Sequence, residues 1–171
     1  MIAIRLSKIV VTAGLALYAF LVALGNVVDD SNWIFLRHVL AMDTVFPDST
    51  LRTRAITDPG LQRAAYLVII GFQVVIGLVL TLASLLMARA LTASQAAFRR
   101  AKSVTALGIL LGFGLWFIGF TVIAGEWFAM WQSSEWNAQT TAYRITLVFL
   151  AAGIYVLLDN DGAPEPPPRA E

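Results

Sequence analysis

The sequence predicts an all-α membrane protein with four transmembrane helices and a short amphipathic interfacial helix in its first outer loop. Of the 171 residues, 58% are hydrophobic and 13% are charged, and the mean hydropathy is +0.75. Soluble domains average about 45–50% apolar and about 25% charged residues. A chain this apolar has too few polar side chains to cover a water-facing surface, whereas a bilayer removes that need.

Four apolar segments are close to the roughly 20 residues that cross a bilayer as a helix. They lie at 9–28, 64–88, 104–125 and 137–158, and together predict a transmembrane domain over residues 1–158. The first could be a cleavable signal peptide, but the apolar part of such a signal is usually about 7–15 residues long. We therefore expect it to remain as an anchor. Residues 159–171, rich in proline and charge, predict a disordered cytoplasmic tail.

The distribution of lysine and arginine favours cytoplasmic termini. With both termini inside, the inner side holds seven basic and four acidic residues, and the outer side holds five basic and seven acidic residues. The short loop ARALTASQAAFRRAK alone carries four of the inner basic residues. Residues 29–63 and 126–136 would then form an outer cap.

A helix in the first outer segment is predicted by the periodicity of SNWIFLRHVLAMD. Its apolar side would hold Trp33, Phe35, Leu36, Val39, Leu40 and Met42, with Arg37, His38 and Ala41 opposite and Ile34 as a misfit. Asn32 could cap its start. About 10 residues are too few to span a bilayer, so we expect the helix to lie along the outer interface. Asp58 and Pro59 mark the start of the second span.

Three of the five tryptophans, Trp127, Trp131 and Trp136, lie in the second outer segment. Indole rings favour the headgroup level of a bilayer, so an aromatic belt is one interpretation. The other is a rigid aromatic platform for a partner or a lipid headgroup.

Candidate chemistry is sparse. The chain has one histidine and no cysteine, so His38 with Met42 and Met130 is a poor basis for a metal site, which needs three or four ligands. His38 and Asp43 are five residues apart and would not face each other on a helix. We expect no catalytic residues, no metal and no cofactor. The net charge of +1 and the lack of a basic patch argue against nucleic acid as a partner.

Arg144 is the most informative charge, because it lies about two turns into the fourth span, where an unpaired arginine is costly. It could snorkel outward or pair with Glu126, with Asp43 and Glu135 as alternatives. Either a structural ion pair or a binding role would account for it. Gly108 and Gly112 allow close helix approach, either within the bundle or in a contact with a partner subunit or a homo-oligomer.

The blocks NWIFLRHVLAMDTVFP, RAITDPGLQRAAY and GEWFAMWQSSEWNAQTTAYR resemble the DUF2165 family of bacterial predicted small integral membrane proteins. The resemblance covers nearly the whole chain from the first to the fourth span. It implies the topology above and a bacterial inner membrane. It supplies no mechanism and no functional residues.

Three functions from different classes stay open. The leading hypothesis is a non-enzymatic accessory, scaffold or assembly subunit that lies in the lipid bilayer. Its outer cap would bind another membrane protein or a periplasmic partner, with candidate residues His38, Asp43, Arg54, Glu126, Trp131, Trp136 and Arg144. The alternative is a small-solute or lipid transporter or channel with Arg144 and Glu126 lining a cavity. An enzyme acting on lipid or quinone through His38, Asp43 and an arginine is the least favoured.

Overall fold

The computed structural model describes residues 1–162, so the predicted disorder of residues 163–171 lies outside the described part. Five helices make up most of it. They are α1 (Ile2–Val28), α2 (Ser31–Ala41), α3 (Pro59–Arg89), α4 (Gln95–Phe113, continued by a π-helix over Gly114–Trp127) and α5 (Gln139–Leu157). Short 3-10 turns lie at Thr50–Arg54 and Met130–Gln132, and no strand occurs within residues 1–162.

Four of these helices are long and apolar enough to cross a membrane, which confirms the predicted all-α, four-span fold. They are Ile2–Val28, Pro59–Arg89, Gln95–Trp127 and Gln139–Leu157. α1 packs along α3, α3 packs along α4, and α5 packs against α4 and the π-helix. The contact between α1 and α5 is less extensive and leaves a cleft between them. We call the end that carries α2 the cap end, and the end that carries Ile2 and Leu157 the terminal end.

Helix α2 lies over the cap end of the bundle with the predicted side inward. Leu36, Val39 and Leu40 are buried, whereas Ile34, the misfit of the pattern, is 41% exposed. The predicted capping by Asn32 is wrong, because the helix already begins at Ser31. The Oδ1 of Asp29 instead accepts a hydrogen bond from the backbone N–H of Ser31, the first residue of the helix, at 2.9 Å.

The start of α3 follows the sequence signal. Pro59 is the first helical residue, where a missing N–H costs nothing. The Oδ1 of Asp58 accepts a hydrogen bond from the Leu61 backbone N at 2.8 Å. This N-terminal capping by Asp58 fixes the residue at which the chain leaves the first outer segment and enters α3.

Close helix approach within the bundle depends on Gly108 and Gly112. A Cβ on Gly108 would overlap the Leu80 side chain of α3, and one on Gly112 would overlap the Phe149 ring of α5. Both glycines therefore serve internal packing, which was one of the two interpretations of their spacing.

The π-helix was not anticipated from the sequence, which predicted one regular span. Its wider turns close with i to i−5 backbone hydrogen bonds, such as Phe128 N to Ile123 O at 3.0 Å. The Thr121 hydroxyl also donates to the Trp116 carbonyl oxygen, five residues back, at 3.2 Å. π-helices are rare, most are single-turn bulges, and many lie at functional sites. This one directs Trp116 into the bundle and continues to the cap end.

Candidate functional site

His38 and Asp43 are joined at the cap end, which corrects the prediction that they would not face each other. The Nδ1 of His38 lies 2.8 Å from Asp43 Oδ2 and 3.0 Å from Oδ1. The helix on which the prediction relied ends before Asp43, because Met42 takes a left-handed conformation with φ 50° and ψ 33°. That residue turns the chain back and brings the carboxylate to the imidazole.

The ring of Trp136 stacks on His38, with centroids 4.7 Å apart and planes 7° from parallel. Phe35 meets the same indole edge to face at 6.3 Å. The first cap segment is thereby attached to the segment that leads into α5. His38 and Asp43 remain one-third to one-half exposed, so the pair is a surface feature and not a buried acid–base couple.

Cation–π contacts connect further parts of the cap. The guanidinium of Arg54 lies 4.7 Å from the Trp127 ring centroid, and its Nη1 donates to the Trp127 carbonyl oxygen at 3.2 Å. Arg37 and Arg63 both lie over Trp33, at 5.9 and 5.2 Å. Such contacts stabilise by about 0.5–1 kcal/mol at exposed sites. They hold the cap segments in one arrangement.

Three rings at the cap end stay largely exposed, namely Phe46 (49%), Trp127 (55%) and Trp131 (46%), and we call them the exposed aromatic set. Phe46 and Trp131 meet edge to face at 5.9 Å. Their segments are cross-linked, because Thr44 Oγ1 bonds Ser133 Oγ at 2.9 Å and Phe46 N donates to Gln132 Oε1 at 3.3 Å. The exposed rings therefore stand on an ordered support.

Arg144 and Glu126 are not brought together, so the expected ion pair is wrong. Arg144 is exposed and borders the groove between α1 and α5, and it forms no ion pair with any acidic residue in 1–162. Glu126 is exposed and accepts a hydrogen bond from Gln139 Nε2 at 3.3 Å.

The two methionines considered as possible metal ligands pack elsewhere. Met42 and Met130 are each 1% exposed and belong to the hydrophobic core of the cap. His38 directs Nδ1 at Asp43 instead. No group of three or more metal-ligating histidines or acids occurs among the described residues.

A second polar constellation lies at the terminal end, and sequence reasoning missed it. We call Arg5, Lys8, Lys102, Asp159 and Asp161 the terminal ionic cluster. Lys8 and Lys102 are 0% and 2% exposed, and their Nζ atoms lie 2.7 and 2.9 Å from Asp161 Oδ2. Lys102 also reaches Asp159 Oδ1 at 2.9 Å.

Backbone carbonyls complete the terminal ionic cluster. Both lysines donate to the carbonyl oxygen of Leu158, which follows the last residue of α5, where cations also complement the helix dipole. Arg5 donates to the carbonyl oxygens of Asp161, Leu91 and Ala93 at 3.0, 2.9 and 2.7 Å. The cluster therefore connects α1, α4, the α3–α4 loop and the segment after α5.

The predicted start of the disordered tail at residue 159 is corrected by this cluster. Asp161 is 0% exposed and Gly162 packs on Gln95. Burial alone would raise the pKa of Asp161, but hydrogen bonds and charge from Lys8 and Lys102 outweigh it and lower that pKa. The hydrogen bond from Lys102 lowers the pKa of Asp159 as well. Both acids are therefore held ionised.

A signal for the buried lysine existed in the sequence. Arg5, Lys8, Thr12 and Ala19 follow the helical period, and all lie on the buried side of α1. Lys102 lies on the corresponding line of α4 with Thr105 and Gly112. The distribution of basic residues along the chain predicts only the orientation of the spans and not this cluster.

Fold and sites together define an α-helical integral membrane protein with four candidate spans, an ordered polar and aromatic cap, and an ionic cluster at the opposite end. The chain belongs to the DUF2165 family, described as predicted small integral membrane proteins, whose family model matches residues 4–159. No curated protein and no solved structure is similar enough to match the chain.

Proposed function

We propose that this chain is a non-enzymatic accessory or scaffold subunit of the bacterial inner membrane, which binds another membrane protein through its outer cap. The observation that carries the proposal is the exposed aromatic set on its ordered support. Binding hot spots are enriched in tryptophan, tyrosine and arginine. A rigid surface also loses little conformational entropy when a partner binds.

The charged residues around the exposed rings suit a recognition role more than a chemical one. His38 and Asp43 satisfy each other, and Arg54 is held on Trp127. Such groups can set orientation at an interface rim without performing a reaction. Trp131 and Phe46 would supply the apolar centre of the contact.

Transport through a path lined by Arg144 and Glu126 has less support. Arg144 borders a groove on the membrane-facing side of α1 and α5, whereas Glu126 bonds Gln139 at the cap end. A shared cavity would be needed for both to contact one solute.

The proposal is tested by cross-linking in cells. A photoreactive amino acid is placed at Ser134, which is exposed beside the set, and cross-linked proteins are identified from the solubilised membrane. We expect one reproducible membrane protein, whose yield falls at least five-fold in Trp131→Ala and is unchanged in Tyr143→Ala. Tyr143 is a matched control, because it is 52% exposed but lies within α5. Equal yields from both variants would contradict the proposal.

The proposed orientation, with both termini cytoplasmic, has its own test. The chain contains no cysteine, so single cysteines can be labelled without background. Asp48→Cys at the cap end should react with a membrane-impermeant maleimide in intact spheroplasts. Thr92→Cys, in the α3–α4 loop, should react only after the membrane is opened. The reverse pattern would overturn the orientation.

A further inference from the structure

A cavity of about 260 Å³ lies inside the cap half of the bundle, beneath α2. Its walls come from α1, α2, α3, the π-helix and α5. Ligand pockets commonly measure about 300–1,000 Å³. At about 260 Å³ this cavity lies just below that range, so it fits a small head group and leaves any longer chain outside.

The polar part of the cavity wall has free hydrogen-bonding capacity. Asn26 Nδ2 donates to Gln73 Oε1 at 2.8 Å, and Tyr66 Oη donates to the Asn26 carbonyl oxygen at 2.6 Å. Gln73 is only 2% exposed, yet its Nε2 has no hydrogen-bond acceptor among residues 1–162. A ligand oxygen in the cavity would satisfy it.

The rest of the wall is aromatic and uncharged. Tyr18, Phe35, Trp116 and Phe120 line the cavity with Tyr66, and none of the described lining residues carries a charge. A charged head group would be desolvated there without a counter-ion, which is unfavourable. Flat aromatic walls instead favour offset stacking with a planar ring.

The cavity adjoins the cleft between α1 and α5. Tyr18 and Ile145 line both the cavity and a groove of about 410 Å³ that runs along Leu15 and Val148 toward the terminal end. The described groove lining is apolar except for Tyr18 and Arg144 at its border. An apolar chain attached to a ring in the cavity can leave along this groove to the bilayer.

We propose that this cavity binds a neutral membrane molecule with a planar, carbonyl-bearing ring and an apolar chain, which is the chemistry of a membrane quinone. The ring lies between the aromatic walls. One of its carbonyl oxygens accepts a hydrogen bond from Gln73 Nε2, and the chain follows the α1–α5 groove. The site is separate from the exposed aromatic set, and it does not depend on a protein partner.

Decylubiquinone is the probe, added to the purified full-length protein in detergent while tryptophan fluorescence is recorded. Trp116 lies in the cavity wall, so a bound quinone should quench its emission saturably. Replacement by Trp116→Phe should remove most of the saturable part, whereas Trp131→Phe should retain it. Quenching that rises linearly without saturation would overturn the proposal.

Two variants test the polar contact and the groove separately. Gln73→Leu should weaken binding about five-fold, which corresponds to the loss of one hydrogen bond of about 1 kcal/mol. Gly14→Leu should also weaken it, because a side chain there would project into the groove, and its Cβ meets no atom within 4 Å. Gly71→Leu is the matched control, since its Cβ is equally free but lies outside the groove.

The variants also separate a binding defect from a folding defect. Gly14→Leu leaves the Asn26–Gln73 bond intact, so it reports on the site even if Gln73→Leu unfolds. Equal affinity in Gly14→Leu and Gly71→Leu would overturn the groove assignment. Competition by monoolein as strong as by a second quinone would overturn the assignment of a planar ring.

Discussion

Lys8 and Asp161 form an ion pair 2.7 Å long in which both side chains are fully buried, although 153 residues separate them in the chain. The pair connects the first turns of α1 to the segment that follows α5. Lys102 bonds the same carboxylate oxygen from α4. Ionic contacts therefore connect the helices at the terminal end of the bundle, whereas aromatic contacts connect the segments at the cap end.

Removal of Lys8 should destabilise the protein strongly. Lys8→Met leaves Asp161 buried with Lys102 as its remaining cation, and loss of one partner of a buried pair costs roughly 3 kcal/mol. The measurement is the free energy of unfolding in mixed detergent micelles. Arg99→Met is the control, because the Arg99–Asp159 pair is about half exposed and should contribute less than about 1 kcal/mol. Equal losses from the two variants would contradict the buried cluster.

Asp161 should make the protein sensitive to acid. The pKa of Asp161 is lowered in the folded state from its ordinary value of 3.8. At pH values above 3.8 the ionised carboxylate therefore contributes its full stabilisation of the fold. That contribution is lost as the pH falls through the lower folded-state pKa. The unfolding midpoint should stay level from pH 7 to about 5 and drop below about pH 4.

The control for acid sensitivity is a pair of amide variants. Asp161→Asn should be less stable than the parent protein at pH 7 and should lose less stability on acidification. Asp48→Asn, which removes an exposed carboxylate without an ion pair in the described part of the chain, should follow the parent curve. An unchanged acid slope in Asp161→Asn would show that other groups govern the transition.

Trp136 should contribute more to the order of the cap than Asp43 does. Trp136→Ala removes the stacking on His38 and the edge-to-face contact with Phe35, and we expect a loss of about 2 kcal/mol together with faster amide exchange in α2. Asp43→Ala breaks only a half-exposed pair and should cost less than about 1 kcal/mol. Hydrogen–deuterium exchange over Ser31–Ala41 measures both. Greater loosening in Asp43→Ala would reverse this ranking.

Gly112→Leu should force α4 and α5 apart, because its Cβ would overlap the Phe149 ring. Overpacking of this kind typically costs about 1–3 kcal/mol. The thermal midpoint in detergent should fall, while Gly71→Leu, whose Cβ meets nothing within 4 Å, should leave it unchanged. A midpoint retained in Gly112→Leu would mean that the two helices can separate without loss.

Periodicity and composition predicted the elements well where one physical rule governed them. The four spans follow from apolar length, the inward side of α2 from its 3.6-residue period, and the start of α3 from Asp58 and Pro59. Each depends on residues close together in the chain. The polar contacts of the candidate site depend on residues far apart, and these were predicted poorly.

His38 and Asp43 lie only five residues apart, yet their contact was also predicted wrongly. Their separation argues against contact on a continuous helix, but the left-handed Met42 ends that helix and reverses the chain. The prediction for Arg144 was wrong in the opposite way. Sequence order placed Glu126 near Arg144, but the structure places the arginine at the α1–α5 groove and bonds Glu126 to Gln139. Neither the His38–Asp43 contact nor the position of Arg144 can be predicted from the spacing of residues along the chain.

The sequence by itself determined that the chain lies in a membrane as four helices, because burying about 20 apolar residues in each span leaves no other stable solution. Tertiary structure decided which polar groups meet. In the sequence, Lys8 and Lys102 have the positions of ordinary charges that flank a span. In the structure, both contact Asp161 and the Leu158 carbonyl oxygen, which follow α5. Burial of a charge is tolerated only where partners from distant segments converge, and convergence is a property of the folded chain.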